Sequence, residues 1–293
     1  MRVALVITGE DWYEPTGYAA EWTRALEDQG ARVDRLAGIP ADRPVAAGSA
    51  GRYDLAVAHV LAEEVAAFAP TFRLAALLEA CGVPLLNPVT SLVASSDKLV
   101  THAVWAAAGI PQPATWDLAG LRRWPLPGRP MVLKPALGDG SRDIRLVPDL
   151  LEARAAEGAW RSAEAADGKP RGAALLQEWI PEPVCVRLFA TPTATSSAHE
   201  KARAAGAVVT HGSYTRSYRP PPAMAELAQR MVAALGGGLM GVDVLVAPDG
   251  RLLALEANAP FGWDVTDPAQ GDWFARVALA AAAGPAGAVA AAG

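Results

Sequence analysis

Apolar positions in the first ninety residues form short runs that alternate with stretches of helical spacing. The run from Val3 to Thr8 is apolar and rich in β-branched residues, which is typical of a buried strand in a parallel sheet. Read onward in the same way, the chain is predicted to form strands at 3–8, 32–36, 53–59 and 83–87 and helices at 18–29 and 66–80. Alternating strands and helices predict a doubly wound α/β subdomain over residues 1–92.

The pattern changes near residue 92. A helical stretch with Ser95, Ser96 or Asp97 as its N-cap runs to Gly109 and begins a second subdomain, 93–178. A third subdomain is predicted over 179–283, followed by an Ala- and Gly-rich tail, 284–293. Within these subdomains the pattern predicts strands at 129–134, 143–147 and 174–180, helices at 149–166 and 223–235, and a hairpin over 240–258. The polar segment 191–205 receives no assignment.

Composition narrows the class of protein. Hydrophobic residues make up 52% and charged residues 19%, so the chain is expected to fold into a globular protein. Its 31 acidic and 26 basic residues give a net charge of −5, without the basic excess that nucleic-acid binding needs. The longest uncharged run is broken by Pro285, so we expect no membrane span and a cytoplasmic protein. Cys81 and Cys185 fit neither a disulfide framework nor a metal cluster, and we interpret them as reduced packing residues.

The hairpin segment holds the most informative polar residues. Asp249-Gly250 is a strong two-residue turn signal, and with that turn residues whose numbers sum to 499 face each other. Asp243 then faces Glu256, and Asn258 lies on the same side of the hairpin. Opposed carboxylates call for a cation, and three oxygen ligands on rigid strands suit Mg²⁺ or Mn²⁺. The alternative is an exposed hairpin face with an arginine as the partner.

Two lysines lie where a phosphate could bind. Lys98 is in the first turn of its predicted helix, where a bound anion would offset the unfavourable helix dipole. Lys134 ends a predicted strand and precedes a glycine-rich loop that contains Gly138, Gly140 and Ser141. The alternatives are a solvated lysine at the first site and a simple hairpin turn at the second.

The order of these motifs resembles the ATP-grasp superfamily, over roughly residues 95–264. The resemblance is to the group that includes ribosomal-protein glutamate ligases, D-alanine:D-alanine ligases and carrier-protein ligases of lysine biosynthesis. It implies an α+β ATP-grasp fold with a doubly wound N-terminal subdomain, a small central subdomain that carries the glycine-rich flap, and a C-terminal metal-binding subdomain. It also implies ATP and Mg²⁺ (or Mn²⁺) as cofactors, Lys98 and Lys134 as phosphate contacts, and Asp243, Glu256 and Asn258 as metal ligands.

Further site residues follow from the same resemblance. Glu178, Trp179 and Ile180 correspond to the hinge that reads adenine, and Glu182 is the candidate for the ribose hydroxyls. Arg187 matches the arginine of the family's Asp-x-Arg, whereas Cys185 replaces the aspartate. An expected Arg-x-Asn is missing, so the candidate catalytic arginines are Arg187, Arg216 and Arg219. Two further residues are candidate substrate contacts: Glu10, because it follows the first strand at the carboxyl edge of the sheet, and His211.

The implied activity is ATP-dependent ligation of a carboxylate to an amine or amide through an acyl phosphate. Within this class the chain is short, and the resemblance suggests a small amino-acid-like substrate, as in the cyclising or peptide-forming ligases of small-metabolite and antibiotic pathways such as the one that forms D-cycloserine. Two alternatives stay open: modification of a peptide or carrier-protein side chain, and a non-catalytic ATP-binding regulator. A dinucleotide-dependent enzyme is disfavoured because no Gly-x-Gly-x-x-Gly follows the first strand. The predicted partner is a small molecule, with neither nucleic acid nor membrane, and a homodimer is left open.

Overall fold

Three β-sheets follow one another along the chain, with helices packed on their faces. The computed structural model describes residues 1–7, 18–38, 52–138, 142–203, 208, 214–259 and 268–282. Its strands are β1 (Arg2–Ile7), β2 (Arg32–Leu36), β3 (Leu55–His59), β4 (Leu85–Leu86), β5 (Thr115–Asp117), β6 (Met131–Pro135), β7 (Arg145–Val147), β8 (Ala174–Glu178), β9 (Val184–Ala190), β10 (Thr195–Lys201), β11 (Tyr214–Tyr218), β12 (Met240–Val246) and β13 (Leu252–Asn258). Its helices are α1 (Tyr18–Asp28), α2 (Ala62–Ala66), α3 (Pro70–Ala80), α4 (Val89–Ser96), α5 (Lys98–Ala107), α6 (Leu150–Asp167), α7 (Pro222–Ala234) and α8 (Pro268–Ala282).

The first sheet is parallel, with strand order β2-β1-β3-β4. Because side chains alternate along a strand, β1 contributes to two cores. Val3 and Leu5 pack in the core that includes α1 and α8, whereas Ala4 and Val6 pack in the core that includes α3. Both faces are therefore covered, and the predicted doubly wound arrangement is confirmed.

Two helical stretches differ from the sequence prediction. The predicted helix 66–80 corresponds to α3, which begins only at Pro70, because proline is tolerated at the start of a helix but not within one. A separate short helix, α2, precedes it and ends at Ala66. Phe68 between them has a φ of 50°, which ends α2. Of the three N-cap candidates for α5, Asp97 is the cap, and its carboxylate accepts hydrogen bonds from the amides of Leu99 and Val100 at 2.8 and 3.2 Å. An additional helix, α4, precedes that cap.

The second sheet is antiparallel, with order β5-β8-β6-β7, and α6 covers one face. Trp160 on α6 is buried against this sheet together with Met131 and Leu133 of β6. The glycine-rich loop joins β6 to β7, and its residues 139–141 lie outside the described part of the chain.

The third sheet has five strands in the order β11-β10-β9-β12-β13. The segment 191–205, which the sequence left unassigned, contains β10, and β11 was not predicted. On one face, residues such as Val186, Val242 and Val244 pack against α7. The opposite face carries Arg187 and Asp243, which are paired directly across β9 and β12. The polar face of this sheet is where the candidate site is built.

The first and third sheets share hydrophobic cores, and a clamp and a helix link them further. Asn87 clamps the loop before β12: its Oδ1 accepts hydrogen bonds from the amides of Gly238 and Leu239 at 2.8 and 2.7 Å, and its Nδ2 donates to the Leu239 carbonyl at 2.6 Å. The C-terminal helix α8 returns to the first sheet, where Phe274 packs on Trp22 with ring centroids 4.7 Å apart. Among the described residues, no helix is long and apolar enough to cross a membrane.

Candidate active site

Asp243 and Glu256 face each other across β12 and β13, as the sequence arithmetic predicted. The predicted two-residue turn is wrong, however. Ala247 closes the hairpin with Arg251 through an amide-to-carbonyl bond of 2.9 Å, so the loop has three residues and ends at Gly250, whose φ is 84°. Near this turn, the numbers of facing residues sum to 498, as for Val246 and Leu252.

A β-bulge restores the pairing of the two carboxylates. Val244 pairs with Ala254 and Asp243 pairs with Glu256, which leaves Leu255 as the extra residue on β13. Without the bulge, Asp243 would face Leu255 and Glu256 would point to the other side of the hairpin. The three-residue turn shifts the register by one residue, and the bulge, which the sequence did not reveal, shifts it back. The predicted pair is therefore correct, although the turn from which it was derived is not.

Asp243 is held by two protein cations. Arg187 on β9 donates from Nε and from a terminal nitrogen at 2.7 and 2.8 Å, and Lys201 on β10 donates from Nζ at 2.7 Å. Asp243 is 1% exposed. Burial alone would raise its pKa, but the charges and hydrogen bonds of Arg187 and Lys201 outweigh burial and lower the pKa to about 2. The arginine partner that the sequence left as the alternative is present, in a buried rather than an exposed setting.

Glu256 lies beside Lys98, one of the two lysines expected to bind phosphate. Lys98 Nζ is 3.4 Å from Glu256 Oε1, and it donates a hydrogen bond of 2.6 Å to the carbonyl of Gly138 at the start of the glycine-rich loop. Burial and the neighbouring Asp243 raise the pKa of Glu256. The charges of Lys98, Lys134 and Lys201 lower it by more than this, so the net pKa lies below its ordinary value. The like-charge repulsion expected from the sequence is therefore outweighed by the surrounding lysines.

Lys134 is the penultimate residue of β6, one position before the observed end of the strand at Pro135, and is 5% exposed. Its Nζ donates to Gln177 Oε1 on β8 at 3.0 Å. Burial lowers its pKa to about 8, because desolvation of the ammonium and the charge of Lys98 outweigh the attraction of Glu256 and Asp243. An ammonium group has three N–H donors, so Lys134 keeps donors for a ligand.

The two lysines, the carboxylates and the expected hinge line one cavity of about 110 Å³. Glu178, Trp179 and Ile180 form part of its wall, as does Cys185. Glu178 also forms an ion pair with Arg129 at 3.2 Å, and its backbone amide donates to the Ala114 carbonyl. The opening between the second and third sheets thus combines apolar walls with a cluster of cations at one end.

A second, smaller cavity of about 70 Å³ lies on the other side of Lys98. Lys98 and Glu256 line both cavities. The smaller cavity also has polar groups from Glu63, Ser95, Ser96 and Asn258 in its wall. The buried Nδ2 of Asn258 has no hydrogen-bond partner among the described residues.

Some candidate residues are not brought to the site. Arg216 and Arg219 are exposed and line neither cavity, because β11 is the edge strand farthest from β13. Arg216 instead stacks over the ring of Tyr218 and pairs with Glu200 at 3.7 Å. The Glu182 side chain is 83% exposed and pairs with Arg203 at 3.7 Å. Four candidates lie outside the described residues: Glu10, Gly140, Ser141 and His211.

Sequence reasoning missed two cations of the site. Lys201 and Arg203 both line the larger cavity, at the end of β10 and just after it. Both lie in the segment that received no assignment. The alternation of side chains in SSAHEK is the signal that could have identified a strand, with Lys201 on the same face as His199.

Comparison with solved structures identifies the fold. The chain matches the RimK-domain ATP-grasp protein of Sphaerobacter thermophilus with a TM-score of 0.64, at 23% identity over 95% of this chain and 98% of the other. The chain has the ATP-grasp fold. D-cycloserine synthetase DcsG has the same fold, with a TM-score of 0.65 at 19% identity over 97% of this chain and 99% of that one. The expected ATP-grasp fold, with its α+β organisation, is confirmed.

Sequence comparison gives partial matches to curated proteins. Glutamate–LysW ligase ArgX of Sulfolobus acidocaldarius is 30% identical over 108 residues, which is 36% of this chain and 36% of that protein. The protein of the same name from Sulfurisphaera tokodaii is 29% identical over 136 residues, 45% of this chain and 46% of that one. The chain therefore matches less than half the length of these relatives. No protein-family model matches it.

Proposed function

We propose that this ATP-grasp protein is an ATP-dependent ligase that joins a carboxylate to an amine or amide nitrogen through an acyl phosphate. The observation that carries the proposal is that Lys98 and Glu256 line both cavities. A phosphoryl group held at this common wall would lie beside a carboxylate bound in the smaller cavity. Such adjacency is what a direct phosphoryl transfer requires.

The larger cavity is the proposed nucleotide site. Its apolar wall at Trp179 and Ile180 suits an adenine ring, and the lysines at its other end suit a triphosphate. Lys134 and Lys98 would neutralise phosphate charge, with Lys201 and Arg203 as further cations in the same wall. We assign no covalent role to any side chain of the site, because this chemistry needs positioning and charge compensation.

Asp243 of the larger cavity, Asn258 of the smaller cavity and Glu256 of their common wall form a donor set that fits Mg²⁺. A carboxylate has about four lone-pair positions. Arg187 and Lys201 use three of those of Asp243, which leaves one for a metal. When bound, the metal would supply charge stabilisation for the transferring phosphoryl group. Arg187 would keep Asp243 ionised and fixed in one rotamer.

The substrate we propose is a small amino-acid-like acid. The smaller cavity holds only a small molecule, and Glu63 supplies a carboxylate that could pair with a substrate ammonium group. Ser95 and Ser96 add hydroxyl groups to the wall. A cyclising reaction, as in the solved neighbour named D-cycloserine synthetase, is one form of this chemistry.

A second candidate is attachment of an amino acid to a carrier protein. It is favoured by the two partial sequence relatives, whose names specify a glutamate–LysW ligase. The two candidates share the nucleotide site and differ in whether one of the two reactants is a carrier protein.

One experiment tests the proposal and separates the candidates. ADP release with Mg²⁺ is measured against D- and L-amino acids, ureido compounds, short peptides and a small acidic carrier protein, with hydroxylamine added to trap acyl phosphate as a hydroxamate. A small-molecule ligase gives ADP and hydroxamate with one amino-acid-like acid and no carrier. Dependence on the carrier protein supports the second candidate. Tight ATP binding with no ADP release under any condition would indicate a regulator, and Lys134→Ala is the negative control.

A further inference from the structure

A chain of buried hydrogen bonds leads from Lys134 away from the cavity. Gln177, whose Oε1 accepts from Lys134, donates from Nε2 to His102 Nε2 at 3.0 Å and to Thr115 Oγ1 at 3.0 Å. On its other side, His102 Nδ1 lies 2.6 Å from Gln112 Oε1. His102 and Gln177 are both buried. The contacts of His102 are with protein side chains, and the proposed nucleotide contacts do not include His102.

The protons in this series of hydrogen bonds can be assigned from Lys134 at one end and from Gln112 at the other. Lys134 has only donors, so the Gln177 oxygen must face it and the Gln177 NH₂ must face His102. His102 Nε2 must then be the unprotonated acceptor, which leaves the proton on Nδ1. At the other end, the Gln112 NH₂ donates to the backbone carbonyl of His102 at 2.8 Å, so its oxygen faces Nδ1–H. The two ends independently require the same neutral tautomer of His102.

The surroundings of the imidazole agree with this tautomer. Burial, followed by the charge of Lys134, lowers the pKa of His102 to about 3, against the opposing effects of the hydrogen bond that Nδ1–H donates to Gln112 and of the charge of Glu256. Lys98 lowers it further. A protonated ring would place an N–H against the Gln177 amide hydrogens and break the chain.

We infer that His102 is a positioning residue for Lys134: its neutral imidazole holds the Gln177 amide so that the carbonyl oxygen faces the ammonium group. The inference rests on the proposed role of Lys134 in nucleotide binding. A Gln177 side chain free to rotate would present its NH₂ to Lys134 for part of the time, and the ammonium would lose its only hydrogen-bond acceptor among the described residues.

Two replacements of His102 separate positioning from packing. His102→Phe keeps a ring against Trp105, where the present rings are 5.5 Å apart and nearly perpendicular, but it offers no acceptor. His102→Gln can offer an acceptor near the position of Nε2. We expect the Phe variant to bind a non-hydrolysable ATP analogue about fivefold more weakly, the loss of one neutral hydrogen bond, and the Gln variant to recover most of that affinity. Trp105→Phe is the matched control, because it removes the hydrogen bond from Trp105 to the Met231 carbonyl while leaving His102 in place.

Nitrogen NMR of the protein without nucleotide gives a second measurement. Between pH 5 and 7, where Lys134 is charged, the wild type should show His102 protonated on Nδ1 only, and a slowly exchanging Lys134 ammonium signal that disappears in His102→Phe and returns in His102→Gln. Equal nucleotide affinity and an equal Lys134 signal in all variants, with only the melting temperature lowered, would overturn the inference. A wild type that binds no ATP would refute the proposed function, whereas the Lys134 signal would still decide the positioning role.

Discussion

Replacing Asp243 by asparagine tests the electrostatic centre of the site. The substitution keeps the shape of the side chain but removes the charge that Arg187 and Lys201 contact at 2.7 to 2.8 Å. Both cations would stay buried without the carboxylate that they contact directly. Removing one partner of a buried ion pair costs about 3 to 5 kcal/mol, so we expect Asp243→Asn to lower the free energy of unfolding by an amount in that range.

The pH dependence of the free energy of unfolding tests the same prediction a second time. The pKa of Asp243 falls from an ordinary 3.8 to about 2 on folding, which corresponds to about 2 kcal/mol of stability at neutral pH. Because the folded-state pKa is the lower one, this contribution is complete well above pH 4 and is lost as the pH falls through 2. At pH 3 about half of it remains. The difference in stability between wild type and variant should therefore narrow as the pH is lowered from 7 to 3.

Urea unfolding at several pH values, without nucleotide or metal, is the assay. Asp249→Asn is the matched control, because Asp249 pairs with Arg251 at 2.7 Å on the protein surface and its loss should change stability little. An Asp243→Asn protein as stable as the wild type at pH 7 would contradict the reasoning. A stability difference that stays constant between pH 7 and pH 3 would show that the ionised carboxylate is not its source.

Three further predictions concern neighbouring residues. Glu256→Gln should abolish ADP release and should lower the free energy of unfolding by about 1 kcal/mol in a urea titration, because Lys98 loses its partner. A more stable variant would show instead that repulsion between Glu256 and Asp243 dominates. ATP affinity measured by calorimetry should fall as the pH rises above 8, because the pKa of Lys134 in the free protein is about 8 and the neutral amine attracts no phosphate, and Lys134→Arg should remove that dependence. Asn87→Ala should lower stability by about 2 to 5 kcal/mol in urea unfolding, since three buried backbone groups at Gly238 and Leu239 lose their partner; a change within experimental error would show that water replaces the clamp.

The hairpin of β12 and β13 shows how a sequence argument can predict the right pair of facing residues from the wrong turn. Asp-Gly favours a two-residue turn only statistically, and here the loop also includes Pro248. The bulge at Leu255 then shifts the register by one residue. Bulges are set by how the strand packs against its neighbours, so local sequence alone gave no indication of this one.

The sequence by itself determined the alternating elements over residues 1–92, the Asp97 cap region before Lys98 and the strand that carries Lys134 near its end. These features depend on periodicity and turn chemistry between residues that are close along the chain. Only the tertiary structure decided which cations neutralise Asp243, that Lys98 lies between two cavities, and that His102 is linked to Lys134 through Gln177. The residues of that link are 75 and 43 positions apart in sequence. Contacts at such separations arise from the packing of sheets and helices on one another, which periodicity within a segment does not encode.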